Sequence, residues 1–107
     1  MLDTQPDAIE VNKRLSAFFG CVGTLWRYEC SHSKLFIQLL MLPSNPEKVL
    51  YVLCNSVERI EASSKWWNNK LQLRESATRK SMIELFDIEN RILILTGELR
   101  LHEKMPY

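Results

Sequence analysis

Glycine, proline and cysteine are all scarce in this chain of 107 residues, which has three, four and three of them. With so few glycines, loops that wrap their backbone closely around phosphate groups are not expected, and most of the chain can enter regular elements. Cys21, Cys30 and Cys54 are odd in number, irregularly spaced and without a CxxC. That pattern does not describe a disulfide framework and points to a reducing compartment.

An excess of one charge is missing as well. There are 14 basic and 13 acidic side chains, a formal net charge of +1, and both halves of the chain are close to balance. A broad electrostatic drive toward nucleic acid is therefore absent. The longest strongly apolar stretch, Leu35 to Leu42, is interrupted by Gln38. It is far shorter than the roughly 20 residues a spanning helix needs. No basic segment followed by an apolar run opens the chain, so no secretory signal is expected. These absences predict a soluble, cytoplasmic protein with no membrane partner. GxSxG, HExxH, the glycine-rich phosphate loop and the dinucleotide fingerprint are also missing, so the reading leans away from an enzyme and calls for no cofactor.

What is present is an ordinary globular mixture, 46% hydrophobic and 25% charged, of a length that suits one domain over residues 1–107. An amphipathic helix is predicted over about 7–19. Thr4, Pro6 and Asp7 open it, Ala8, Val11, Leu15, Phe18 and Phe19 form its apolar face, and Gly20 stops it. Val22 to His32 alternates as a half-buried strand, with Val22, Thr24, Trp26, Tyr28, Cys30 and His32 on one face and Leu25 out of phase. Leu35–Leu42, apolar on both faces apart from Gln38, reads as a central strand or one covered on both sides, and Val49–Cys54 is again apolar on both faces; the clear loop Pro43–Lys48 separates them. Asn55-Ser56 suggests a bend or bulge, after which Val57–Ile60 continues the strand or forms an edge.

Lys70–Glu75 reads as a short strand in which Trp67, Asn69, Leu71 and Leu73 share the buried parity, putting Trp66 outside. The two tryptophans exchange places if the pair lies in a turn. Met82–Ile88 is read as a strand in preference to a short helix. Glu89-Asn90 then makes a hairpin turn into Arg91–Thr96, and Gly97 marks a bulge before a last strand carrying Leu99 and Leu101. The sum is an α+β fold: an N-terminal helix packed on a strongly bent, mainly antiparallel sheet of about six or seven strands. A partial barrel and a small sandwich are the alternatives.

Cys30 and His32 share a strand face, but two ligands do not make a metal site without Cys21, Cys54 or His102, and no metal is expected. Nothing orients His32 as the base of a cysteine nucleophile. The pairs Glu58 and Glu61, Glu84 and Asp87, and Asp87 and Glu89 lie among arginines and read as a salt-linked surface rather than an acid–base dyad. Lys65, Trp66, Lys70, Arg74, Arg79 and Lys80 combine cations with an aromatic, yet nearby glutamates dilute the field, so nucleic acid in the Lys65–Lys80 region is the weaker reading.

Association with another protein, or with a second copy of this chain, is the leading expectation. Leu25, Phe36, Trp66 and Phe86 fall off the main core parity, and arginines lie close to them. The interaction residues are Trp66, Arg74, Phe86, Arg59 and Lys70, with Arg27 as a further edge of the patch. A small-molecule module is the alternative, with an apolar pocket between helix and sheet lined by Trp26, Tyr28, Tyr51, Trp67 and His32. On this division Trp66→Ala weakens a partner contact, whereas Trp26→Ala and Trp67→Ala destabilise the fold.

Overall fold

The computed structural model describes residues 8–41 and 48–103. In chain order the elements are α1 (Ala8–Ser16), β1 (Val22–Glu29), a 3-10 turn (Cys30–His32), β2 (Lys34–Met41), β3 (Lys48–Glu61), β4 (Lys65–Trp66), β5 (Gln72–Glu75), β6 (Ile83–Asp87) and β7 (Ile92–His102). All seven strands belong to one antiparallel sheet in the order β4-β1-β2-β3-β7-β6-β5. Among the described residues, a single sheet with one helix is the α+β, partial-barrel form of the expectation rather than the sandwich.

The curl of the sheet follows from its connectivity. β4 and β5 are the two outermost strands, yet only Trp67–Leu71 separate them in sequence. Laid flat, seven strands put their edges about 29 Å apart at ~4.8 Å per interval. The connecting chain, even fully extended, spans at most ~21 Å. The sheet must therefore bend until its edges approach, giving a half-barrel.

Its concave face carries Leu35, Ile37 and Leu39 of β2, Leu50, Val52 and Cys54 of β3, Leu73 of β5, Leu85 of β6, and Ile94 and Leu99 of β7, all buried. α1 lies against β5 and inserts Val11 and Leu15 into this core. Full burial of a side chain such as Leu15 is worth about 1.5–3 kcal/mol. The predicted helix over 7–19 is shorter in the structure: Ala17–Phe19 form turns, and Gly20 has the left-handed φ of 90° expected of a stop. Thr4, Pro6, Asp7, Leu42 and the loop at Pro43–Glu47 fall outside the described residues.

The β1 reading requires correction. The strand ends at Glu29, and Cys30–His32 turn rather than extend it. The core side is taken by Gly23 and Leu25, while Trp26 and Tyr28 are 49% and 44% exposed. Two features override the alternation. Gly23 faces the core because the Trp66 indole occupies the space a side chain would fill: a Cβ there would lie 2.2 Å from the ring. A bulge between Leu25 and Arg27 then shifts the register.

In β3, the residues at 57–60 continue the strand along β7, while pairing with β2 ends at Cys54 and the last backbone bond on that side runs from Val57 N to Ser33 O, so the stretch is also edge-like on its far side. The bulge expected at Gly97 lies instead on β3, where Ser56 has φ 56° and the register shifts after Val57. Gly97 sits across from it, with an added Cβ 3.1 Å from that of Ser56. Ile83–Asp87 is a strand, as preferred, and β5 starts two residues later than expected.

Candidate functional site

The two tryptophans of the Trp66-Trp67 pair occupy the reverse of their expected places. Trp66 is 3% exposed, lies over Gly23 and donates from Nε1 to Asn69 Oδ1 at 2.9 Å. Trp67 is 62% exposed, with Lys65 Nζ 5.3 Å from its ring centre. The cause is local: Asn68 has φ 54°, a left-handed kink that breaks the strand phase. Asn69, Leu71 and Leu73 keep the buried parity beyond it. Trp66 is therefore a core residue and not part of an interaction patch.

Of the other expected interaction residues, three share the convex face. Arg59 pairs across to Leu95, Leu95 to Glu84 and Glu84 to Arg74, forming one row through β3, β7, β6 and β5. Arg74 stacks 4.0 Å above the Phe86 ring and its Nε donates to Glu84 at 2.8 Å, while Arg59 is ion-paired with Glu61. Lys70 is elsewhere, 5.8 Å from the Phe19 ring. Phe36, placed off the core by parity, is nonetheless buried on the convex side beneath Arg27, whose guanidinium carbon lies 4.3 Å from the ring centre.

The five proposed pocket residues do not converge. Trp26 meets Tyr51 edge-to-face at 6.4 Å, and Gln38 donates to the Tyr51 hydroxyl at 3.3 Å, all on the convex side. Trp67 and His32 stand exposed on other segments. A cleft of about 420 Å³ does exist, lined by Arg14, Ala17, Phe18, Lys48, Val49, Leu50 and Glu103, and it contains none of the five.

The chemistry-bearing groups are mostly committed to structure. Burial pushes the Cys21 thiol up to about 11, against a smaller opposing effect of backbone hydrogen bonds, and the Cys54 thiol up to about 12. Both therefore stay protonated and weakly nucleophilic at neutral pH. Glu58 is held by Arg79, Glu61 by Arg59 and Glu84 by Arg74. Asp87 is buried and accepts from the Lys70 amide at 2.8 Å, the Asn90 amide at 3.1 Å and the Asn90 side chain at 2.8 Å. Among the described residues, no group of three or more His, Cys, Asp or Glu is placed to hold a metal ion. No helix there is long and apolar enough to cross a membrane. In the run from Lys65 to Lys80, Trp66 is buried, Arg74 and Arg79 are ion-paired, and the exposed ring beside Lys65 is that of Trp67.

The two edges of the sheet differ sharply. At β5, the Asn12 side chain of α1 acts as a substitute strand: its Oδ1 accepts from Leu73 N at 2.7 Å and its Nδ2 donates to Leu73 O at 2.9 Å. At β1, β4 covers Gly23 and Thr24 only, with one more bond from Leu25 N to Ser64 O. Beyond Leu25, no strand among the described residues pairs with that side of β1.

This uncovered length carries the exposed Trp26 and Tyr28, and between and after them Arg27 and Glu29, whose side chains form an ion pair at 3.3 Å. The sequence offered one signal for this arrangement, a glycine inside a strand pattern, which marks close approach by another group. Compared with known proteins, the chain matches no family model, no curated protein and no solved structure.

Proposed function

We propose that this chain is a non-catalytic association module that binds an extended protein segment along the β1 edge. The observation that carries this reading is the side of β1 beyond Leu25, which no strand among the described residues covers, flanked by half-exposed Trp26 and Tyr28, in a sheet whose opposite edge has the Leu73 amide and carbonyl bonded by Asn12. Open edges invite strand addition, and proteins ordinarily blunt them. Added main-chain bonds supply affinity, and an aromatic–arginine border supplies the contacts that most often dominate interfaces. The patch thus moves from the residues around Trp66 to Trp26, Arg27 and Tyr28. The three free thiols support a reducing, cytoplasmic setting for the module.

The test is capture from source-cell lysate with the wild-type chain, Trp26→Ser and Arg74→Ala. A protein retained by wild type and Arg74→Ala, and reduced at least about tenfold with Trp26→Ser, is the expected result. Equal recovery by all three removes the β1 edge from consideration.

Small-molecule binding is a second reading because of the cleft beside Phe18 and Leu50, whose mixed apolar and charged lining suits a small amphipathic molecule. Added mass on the purified chain in native mass spectrometry, lost on denaturation, is the result that favours it.

A further inference from the structure

We infer that the segment accepted by the β1 edge is the same edge of a second copy, paired antiparallel about a two-fold axis at Tyr28. The inference rests on the association reading above and adds the identity of the partner.

Backbone direction sets the axis. Leu25 N points away from β2, since it donates to Ser64 O. The bulge between Leu25 and Arg27 advances the register by one residue, and alternation then turns the amide and carbonyl of Tyr28 to the open side, while Arg27 and Glu29 face β2. An antiparallel pair centred on Tyr28 therefore exchanges two main-chain hydrogen bonds between one Tyr28 and its copy. Centring on Arg27 or Glu29 offers no such bonds.

Charge selects the same register. About a two-fold axis at Tyr28, Arg27 of each protomer stands opposite Glu29 of the other. Arg27 and Glu29 project to one face, as their ion pair at 3.3 Å demonstrates, so both cross-strand pairs form together. The segment is thus complementary to itself. Within one protomer Arg27 already has Glu29 and the Phe36 ring as neighbours. Exchange of ion-pair partners consequently fixes register more than it adds affinity. The uncovered stretch is short, so the dimer is a weak one, populated at roughly 10 µM to 1 mM.

Sedimentation of the purified full chain over that concentration range is the test. Wild type is expected to shift from monomer to dimer. Arg27→Glu alone and Glu29→Arg alone each place like charges opposite one another twice and lower the dimerisation constant about tenfold. An equimolar mixture of these two variants restores both opposite-charge pairs and regains dimer, as does the double variant. Because Arg27 also covers Phe36, thermal unfolding of each variant checks that the fold is intact, and Glu29→Arg carries the test if Arg27→Glu is unfolded. The Tyr28 amide is expected to exchange slowly in the concentrated sample and rapidly in the dilute one.

A wild-type monomer at 1 mM overturns the inference, as does a dimer indifferent to Glu29→Arg, or a mixture of folded variants that stays monomeric. The edge reading survives any of these if a different protein is captured in a Trp26-dependent way. Both fail if capture is also unaffected by Trp26→Ser.

Discussion

Trp66 and Asn69 form the most demanding contact among the individual residues. Asn69 is fully buried and makes four hydrogen bonds, one to Trp66 and three to the segment at 18–21: its Oδ1 accepts from Trp66, its Nδ2 donates to Phe18 O, its amide donates to Cys21 O and its carbonyl accepts from the Gly20 amide. Replacing Trp66 by alanine removes a buried indole and leaves Asn69 Oδ1 without its donor. Urea unfolding is expected to show a loss of about 3–5 kcal/mol for Trp66→Ala. Trp67→Ala, by contrast, is expected to stay within about 0.5 kcal/mol of wild type. Equal losses contradict this assignment. The expectation drawn from parity had the two tryptophans reversed, and its source is visible in Asn68. Period-two reading holds from Asn69 to Leu73 but cannot pass through a residue at positive φ, and asparagine adopts that conformation without announcing it in the sequence. Gly23 was the readable clue: in a strand, a missing side chain signals something large nearby.

Among the elements, α1 has two tasks on two faces. Val11 and Leu15 enter the core, and Asn12, one position on from Val11, turns its amide group to the free side of β5. An asparagine side chain sets an N–H beside a carbonyl oxygen much as a peptide group does, so Asn12 satisfies both backbone groups of Leu73 without adding a strand. Asn12→Leu keeps the helix but leaves the amide and carbonyl of Leu73 without these partners. A loss of about 1–3 kcal/mol and faster hydrogen exchange at Leu73 are expected, and unchanged exchange there rules out the edge-closing role. The helix was legible from its apolar face and β2, β3 and β7 from their apolar, β-branched runs, whereas β6, five residues long, was legible only as the preferred of two readings. The capping role of Asn12 was not, since only the fold brings residue 12 to residue 73. The exposed face of β1 was misread for a related reason. A bulge changes which side chains face inward, and Leu25-Trp26-Arg27 contains neither glycine nor proline to mark one.

For the whole molecule, the curl came directly from chain order, once the strand pairing was known. The sequence showed the strands and their number but not that β4 and β5, separated by five residues, belong to opposite edges. That tie between the edges has a kinetic consequence. The hairpins β1-β2, β2-β3 and β6-β7 join strands that are adjacent in sequence and can form early, whereas the Gly23–Trp66 pairing bridges a long intervening chain and gains little until the sheet between them has already bent. The clasp around Trp66 is therefore a late event on the folding path. Trp66→Ala is expected to leave the refolding rate within about twofold of wild type and to speed unfolding roughly 100-fold or more, as stopped-flow chevrons in urea would record. A refolding limb slowed in proportion to the lost stability would place the clasp in the nucleus instead. If it closes last it also opens first, so the lifetime of the native state, more than its speed of formation, is governed by one indole resting on one glycine.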